Sequence, residues 1–244
     1  MVMTSLQAQT NLPPIQLDRP DLTESPFITP TNYIQVEAGL LYEIEENGIG
    51  VFTSPTVLTK YGVHDKFEIR LITEYVTTDH AASRPLQGIT PIWVGFKTHL
   101  LTEKGIIPQT SFIGHIAIPS LASSDYQANY LAPQFRFTMQ HTLSKSVTLG
   151  YNLGVEWDGF SAREKYIYTI TSGISLHKKW GCFIELFGEG EKGIGFKHNV
   201  DAGFTYLVNN NSMLDISSGL NWQEQTYFVS FGYSFRLNMG KKKK

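Results

Sequence analysis

Long apolar runs, paired cysteines and a strong net charge are all missing from this chain. No stretch approaches the roughly 18 consecutive apolar residues of a membrane-spanning helix. The single cysteine, Cys182, excludes an intrachain disulfide, and the formal net charge of −2 gives no indication of a nucleic-acid partner. Charged residues make up only 17% of the chain, and the mean hydropathy is −0.15. Helical membrane proteins, disulfide-framed secreted domains and nucleic-acid-binding proteins are therefore disfavoured.

Strict two-residue alternation near the end of the chain is the most informative feature that is present. In segment 227–237 the odd positions are all apolar or aromatic, while the even positions, Phe228 excepted, are small or polar. The odd positions are Tyr227, Val229, Phe231, Tyr233, Phe235 and Leu237. A tilted strand needs roughly 9–11 residues to cross a bilayer, with one face for lipid and the other for a polar lumen. This segment fits that requirement.

Similar alternation recurs back to residue 33 with no change of composition, which predicts an all-β transmembrane antiparallel up-and-down β-barrel of about twelve strands. We divide the chain into 1–31, a trimmed signal remnant and a Pro-rich extended lead-in; 32–238, the barrel; and 239–244, a basic tail that ends in Lys241–Lys244. Segment 51–61 is the least regular, because Ser and Thr fall on both faces and Pro55 interrupts the strand.

Two regularities support closure of the strands into a barrel. The connections near 45–50, 77–88, 119–129 and 158–164 are longer than most of the turns between them. Long loops at one end and short turns at the other are typical of outer-membrane barrels, and an even strand count places both termini in the periplasm. Aromatic residues with lipid-facing parity gather at the long-loop ends, where they form an interfacial girdle: Tyr42, Tyr75, Trp157, Tyr166, Trp222 and Tyr227. A soluble β-sandwich, the alternative, has no reason to place them at one height.

Charged side chains keep to the opposite face of the strands. Because a cation that faces lipid at the bilayer midplane costs roughly 2–4 kcal/mol, these residues are expected to line the lumen. The lumen-lining candidates are Glu68, Arg70, Glu74, Lys97, His99, Arg136, Glu156, Glu185, Glu189, Asp201, Asp215 and Arg236. Two interpretations stay open and are compatible: a network of ion pairs that fills the lumen, and the lining of a solute path.

The lead-in is too rich in proline to join a β-ladder, and its charged groups cannot lie unpaired in lipid. We predict that it folds back into the lumen as a plug, carried by Asp18, Arg19, Asp21 and Glu24. Arg19 is expected to pair with an acid such as Glu68 or Asp215, and the carboxylates to meet Arg70, Arg136 or Arg236. A free periplasmic tail is the alternative.

Motifs for catalysis or cofactor binding are weak. Gly188-Glu-Gly-Glu-Lys-Gly193 has the spacing of a dinucleotide fingerprint, but strand-like alternation follows it where a helix is required. His198 lacks the neighbouring serine and asparagine of a barrel phospholipase, and the histidines show no metal-ligand spacing. We therefore expect no catalytic residues, no metal and no cofactor.

Several short motifs resemble, in order, an outer-membrane family labelled meta-pathway phenol degradation or simply transporter. They are Asp18-Arg-Pro-Asp-Leu-Thr-Glu-Ser-Pro26, Gln35-Val-Glu-Ala-Gly39, Leu58-Thr-Lys-Tyr-Gly62, Phe67-Glu-Ile-Arg70, Val94-Gly-Phe-Lys97, Asn199-Val-Asp-Ala-Gly203 and Phe228-Val-Ser-Phe-Gly232. Lys60 stands where the family's arginine is expected. The resemblance covers nearly everything after residue 17 and implies a barrel that passes aromatic or other hydrophobic small molecules.

Together these observations predict an outer-membrane channel or transporter, and not an enzyme, in a Gram-negative-type bacterium. Its expected partners are outer-membrane lipids, the barrel-insertion machinery and a small-molecule solute. The alternatives are a structural barrel with a plugged lumen and, third, a lipid-modifying enzyme.

Overall fold

The computed structural model describes residues 12–45, 48–79 and 84–240, and within them the chain forms a closed antiparallel barrel. The expected signal remnant (1–10), His80 and the lysine tail (241–244) lie outside the described residues. The strands are β1 (Tyr33–Ile44), β2 (Gly50–His64), β3 (Phe67–Thr78), β4 (Leu86–Ile89), β5 (Ile92–Leu101), β6 (Gln109–Ile118), β7 (Ala132–Thr142), β8 (Val147–Glu156), β9 (Lys165–Ser175), β10 (Trp180–Glu191), β11 (Gly195–Asn209), β12 (Ser212–Asn221) and β13 (Thr226–Asn238).

The barrel wall is twelve strands around, as predicted, because β4 and β5 lie end to end along β3 and together occupy one strand position. β5 pairs with β3 from Phe67 to Ile72, and β4 pairs with the same strand from Tyr75 to Thr78. Pro91 lies in the gap between the two pieces and has no N–H to donate to the ladder. The first and last strands close the cylinder, with Tyr33 opposite Asn238.

Alternation predicts the two faces of the wall, as β13 shows. Phe231 is 49% exposed on the outer face, whereas its neighbour Ser230 is 5% exposed and Ser234 is fully buried inside. Successive side chains of a strand point to opposite faces, so apolar residues cover the outside and polar residues fill the interior. No helix in the described part of the chain is long and apolar enough to cross a membrane.

The irregular segment in β2 is a β-bulge. Opposite β1, Thr53 pairs with Leu41 and Thr56 with Gly39, so that Ser54 and Pro55 together lie opposite the single residue between them and β2 has one extra residue. An extra residue of this kind exchanges the two faces of a strand, since the side-chain period is two. Thr53 on one side of the bulge and Lys60 on the other are therefore both buried, although one number is odd and the other even.

The start of β1 and the end of β13 lie at the same end of the barrel, which we call the terminal end; we call the other the loop end. Connections at the terminal end are 65–66, 102–108, 143–146, 176–179 and 210–211. Connections at the loop end are 45–49, 79–85, 119–131, 157–164, 192–194 and 222–225. The predicted difference in length holds for the first four loops, but the last two are as short as the turns opposite.

Two of the long loops contact each other over the loop end. The backbone N–H groups of Asn129 and Tyr130 both donate to the carbonyl of Gly159, whose positive φ of 76° favours glycine. Beside it, burial acts to raise the pKa of Asp158, but N–H groups of Ser161 and Phe160 donate to its carboxylate and hold that pKa below its usual value. These bonds order the rim of the barrel.

Candidate lumen and plug site

Residues 12–31 form a loop inside the barrel. The segment starts at the terminal end, where the carbonyl of Pro13 accepts a hydrogen bond from Arg236 and the N–H of Ile15 donates to Asn210. It bends over residues 20–23 and returns to Thr31, which bridges to Gly62 just before β1 begins. We refer to residues 12–31 as the lead-in.

Asp18 of the lead-in is the centre of a buried ion cluster. Its carboxylate lies 2.9 Å from the ammonium of Lys60, 2.9 Å from that of Lys97 and 2.8 Å from the Arg70 guanidinium. The side chains of all four residues are at most 2% exposed. A carboxylate among three cations is strongly favoured in its charged form, because no water competes for the contacts.

The rest of the cluster balances this charge. Glu37 contacts Lys60 and also accepts the backbone N–H groups of Asp18 and Arg19, at 2.9 and 3.1 Å. Glu68 lies 3.0 Å from Arg70 and accepts the N–H of Thr29. Glu68 also lies 4.0 Å from Lys97, and Glu24 contacts Arg70 and, at 3.7 Å, Arg136. The cluster thus contains four carboxylates and four cations: Asp18, Glu24, Glu37 and Glu68 with Lys60, Arg70, Lys97 and Arg136.

Arg19 leaves the lead-in on the opposite side. Its guanidinium lies 3.2 Å from Asp215 and donates to the hydroxyl of Ser230 at 2.7 Å. Two glycines that face each other across β1 and β13, Gly39 and Gly232, make room for it, since a Cβ at either position would overlap the Arg19 side chain. The two small residues therefore form a seat for this arginine.

The bend of the lead-in is fixed to the far wall. The N–H of Leu22 and the hydroxyl of Thr23 both donate to Glu185, and the N–H of Glu24 donates to Asn152 at 2.8 Å. The hydroxyl oxygens of Thr23 and Thr169 lie 2.6 Å apart. The lead-in is thus held across the full width of the barrel by side chains of the wall.

A separate group of carboxylates surrounds Asp21. Glu185 and Asp201 are cross-strand partners in β10 and β11, and Asp21 lies next to both. Asp201 is 4% exposed, and neither of its carboxylate oxygens has a hydrogen-bond partner among the described residues. Unlike Asp18, Asp21 is therefore surrounded by charges of its own sign.

Cavities flank the lead-in at both ends of the barrel. The cavity at the terminal end measures about 560 Å³ and is bordered by Lys145, Lys178 and Lys179. The cavity at the loop end measures about 710 Å³ and is bordered by acids that include Glu43 and Glu45. A smaller cavity of about 270 Å³ lies beside Arg136 and Glu156. The lead-in separates the two large spaces.

The predicted lumen residues fall into two sets. Glu68, Arg70, Lys97, Arg136, Glu185, Asp201 and Asp215 lie against the lead-in or beside Asp21. The others are spread along the lumen. Glu74 accepts from Thr56, Glu156 from Gln134, and Glu189 lies 3.8 Å from Lys165, whereas His99 contacts Thr102 near the terminal end and Arg236 donates to backbone carbonyls there rather than to an acid.

Sequence reasoning missed four buried residues of the site: Glu37, Lys60, His115 and Asn152. His115 accepts from Arg70 at 3.0 Å, and the amide of Asn152 donates to the carbonyl of Glu24. Parity identifies Glu37 and Asn152, which share the interior face with predicted neighbours. Parity does not identify Lys60, because the bulge at Ser54 and Pro55 precedes it in β2 and reverses which positions of the strand face the interior.

Comparison with solved structures shows the same barrel fold. An outer membrane channel from Pseudomonas putida F1 superposes with a TM-score of 0.67 and 10% identity, over 86% of this chain and 97% of that one. The NanC porin superposes with a TM-score of 0.60 and 8% identity, over 83% of this chain and 100% of that one. The KdgM porin in complex with disordered oligogalacturonate superposes with a TM-score of 0.54 and 10% identity, over 82% of this chain and 98% of that one. At these identities the likeness establishes fold only.

No curated protein sequence matches the chain. The model of one family does, from residue 17 to residue 237, which is nearly the whole lead-in and barrel. The chain therefore belongs to the family described as "Putative MetA-pathway of phenol degradation".

Proposed function

We propose that this protein is an outer-membrane channel for small solutes, aromatic and other hydrophobic molecules among them, and that the lead-in is its plug. The family description refers to phenol degradation, and the barrels that it resembles are described as an outer membrane channel and as porins. In this proposal the terminal end faces the periplasm and the exposed apolar wall contacts outer-membrane lipids. The barrel-insertion machinery assembles it from the periplasmic side.

The observation that carries the proposal is the pair of cavities on either side of the lead-in. Spaces of about 560 and 710 Å³ open from the two ends of the barrel and are separated by a segment outside the strand ladder. The wall holds this segment mainly through side chains, which can exchange their partners for water. Movement of the lead-in would therefore join the two spaces without breaking the barrel.

A permanently closed structural barrel is the second candidate. The buried ion cluster around Asp18 favours it, because removing one partner from a buried charge network is strongly destabilising. Both candidates share one barrel and differ in whether the lead-in ever leaves its site. The solved barrels compared above are channels and porins, and none of them is described as an enzyme.

The experiment compares the full chain with a variant that lacks residues 1–26, both refolded or purified in detergent and reconstituted into liposomes and planar bilayers. A plugged channel predicts slow entry of benzyl alcohol and phenol into liposomes carrying the full chain, and a large rise in conductance after truncation. Protein-free liposomes provide the baseline, since such solutes also cross lipid. If the full chain does not exceed that baseline while it shows the heat-modifiable mobility of a folded barrel, the structural candidate is correct, whether or not the truncated variant conducts.

A further inference from the structure

The cavity at the loop end combines an acidic border with an apolar lining. Six carboxylates and one guanidinium border it: Asp21, Glu43, Glu45, Glu189, Asp201 and Glu224, with Arg19. Arg19 is engaged by Asp215, so its charge is already balanced by an acid outside this set. Glu189 lies 3.8 Å from Lys165 and Glu224 lies 2.5 Å from Lys197. The four remaining acids, Asp21, Glu43, Glu45 and Asp201, form no ion pair among the described residues, so the space has a negative potential that concentrates cations and repels anions.

One of these acids is built into the wall without a partner. Asp201 is 4% exposed and borders the cavity, and no N–H group or hydroxyl among residues 12–45, 48–79 and 84–240 donates to either of its carboxylate oxygens; the polar group beside it is the carboxyl of Glu185. A buried carboxylate without a donor is costly, and such groups ordinarily pair with a cation or hydrogen-bond donor. Glu185 and Asp21 beside it add negative charge and supply no donor of their own when ionised.

Aromatic rings lie next to this carboxylate. Gly219 of β12 faces Asp201 on one neighbouring strand and Phe228 on the other. A Cβ at Gly219 would overlap both the Phe228 ring and the Asp201 side chain, so the two groups approach each other over the glycine. Phe187 borders the same cavity. A carboxylate with one ring beside it, and a second ring on the border of the same space of about 710 Å³, fits a molecule with a cationic head and a small apolar body.

We propose that the loop-end cavity is a binding site for protonated aromatic amines. The ammonium group binds Asp201, with Asp21 and Glu185 as further acceptors, and the ring of the ligand packs against Phe187 and Phe228. An ammonium ion suits this site better than a metal ion, because no group of three or more His, Cys, Asp or Glu in the described ranges is placed to hold a metal. Both a charge-assisted hydrogen bond and a cation–π contact are then available to the ligand.

The inference deepens the proposed channel function, since the site lies in the solute path. The test uses three ligands of similar size, benzylamine, benzyl alcohol and benzoate, titrated calorimetrically into the full-length protein in detergent at pH 7. We expect benzylamine to bind at least about tenfold more tightly than benzyl alcohol, the size of one charge-assisted hydrogen bond, and benzoate not to bind measurably.

Asp201→Asn should bring the affinity for benzylamine down to that for benzyl alcohol while leaving the latter unchanged. Glu164→Gln is the matched control, because it removes the same charge from the loop 157–164 at the same end, outside the residues that border the cavity. If Asp201→Asn does not fold, Asp21→Asn, which lies in the lead-in and not in a strand, should reduce benzylamine binding severalfold.

Equal affinities for the three ligands, or benzylamine binding that survives both Asp201→Asn and Asp21→Asn, would overturn the inference. The channel proposal fails by a different measurement. If benzyl alcohol does not cross liposomes faster than the baseline, but benzylamine binding depends on Asp201, the site exists in a barrel that is not a channel. If transport occurs without this dependence, the site is wrong and the channel stands.

Discussion

Replacing Asp18 by asparagine should release the lead-in from the barrel. The substitution keeps the volume of the side chain but removes the negative charge that contacts Lys60, Arg70 and Lys97 at 2.8–3.0 Å. The amide is neutral, and its NH₂ group replaces an oxygen that accepts hydrogen bonds in the native protein, so it points a donor at groups that themselves donate. Docking then buries four cations with only the three carboxylates of Glu24, Glu37 and Glu68, which leaves one positive charge uncompensated, whereas undocking exposes the cations to water.

The magnitude follows from the burial of the group. Removing one partner of a buried ion pair costs about 3–5 kcal/mol, which corresponds to a roughly 150- to 4,000-fold smaller equilibrium constant for docking. The lead-in is therefore expected to spend a measurable fraction of time outside its site. The barrel itself keeps its strand ladders, so its heat-modifiable mobility should not change.

Asp21→Asn is the control substitution, because the charges around Asp21 have the opposite sign to those around Asp18. It removes the same charge three residues further along, where the neighbours are Glu185 and Asp201 and not cations. Loss of a like charge relieves repulsion, so docking should be unchanged or tighter. Single-channel open probability in planar bilayers and the rate at which proteinase K cuts within residues 12–31 measure the two variants side by side.

A folded Asp18→Asn variant that matches the wild-type protein in both open probability and cleavage rate would show that the charge of Asp18 does not hold the lead-in. Equal effects of the two substitutions would show the same, because the charges around Asp18 and Asp21 have opposite signs. An increase in cleavage without an increase in conductance would mean that the lead-in leaves its site but does not block the path.

Three further changes test the wall, the plug and assembly. Phe137→Arg should block barrel assembly, because a cation that faces lipid costs about 2–4 kcal/mol. Thr148→Arg should assemble, because residue 148 faces the terminal-end cavity. Equal yields of heat-modifiable protein from the two variants would show that the faces are misassigned. In a variant without the native cysteine, Thr23→Cys with Thr169→Cys should form a disulfide, since the two native hydroxyl oxygens lie 2.6 Å apart. Oxidation should then abolish the conductance, and a reductant should restore it. Conductance that is the same in the oxidised and reduced protein would rule out a moving plug. Phe235→Ala should reduce outer-membrane yield severalfold if the last strand is the unpaired edge that the insertion machinery engages, and a normal yield would remove that role.

The inward and outward faces of the barrel wall could be predicted from the sequence, because the alternation that assigns them is a local property of each strand. A two-residue period states which face each side chain occupies, and a residue such as Phe231 or Ser230 needs no knowledge of its neighbours to be assigned. The strand count of about twelve is confirmed for the same reason. The rule fails only where the period itself is interrupted, as at Ser54 and Pro55.

The partners inside the lumen could not be predicted in the same way. Parity places Arg70 and Asp215 in the interior, but the vertical stagger of the strands decides which interior residues meet. Arg19 reaches Asp215 and not Glu68 because glycines at 39 and 232 leave space on that side. This space for the Arg19 side chain is formed by two strands that are almost 200 residues apart in sequence, and it can be identified only once their register is known.

The charged character of the lead-in suits a plug that has to leave its site. Burying ionised groups costs several kcal/mol for each ion, and the contacts within a well-formed cluster return a similar amount, so the net free energy of docking is a small difference between large terms. An apolar plug would gain free energy steadily with the area it buries, and its departure would leave an apolar lumen facing water. Here the undocked state leaves Lys60, Arg70 and Lys97 to hydrate in a polar lumen, which stabilises the open form as well as the closed one. A balanced cluster with a like-charged group at its tip can therefore hold the barrel closed and still permit opening, and the contrast between Asp18 and Asp21 is the place where that balance can be measured.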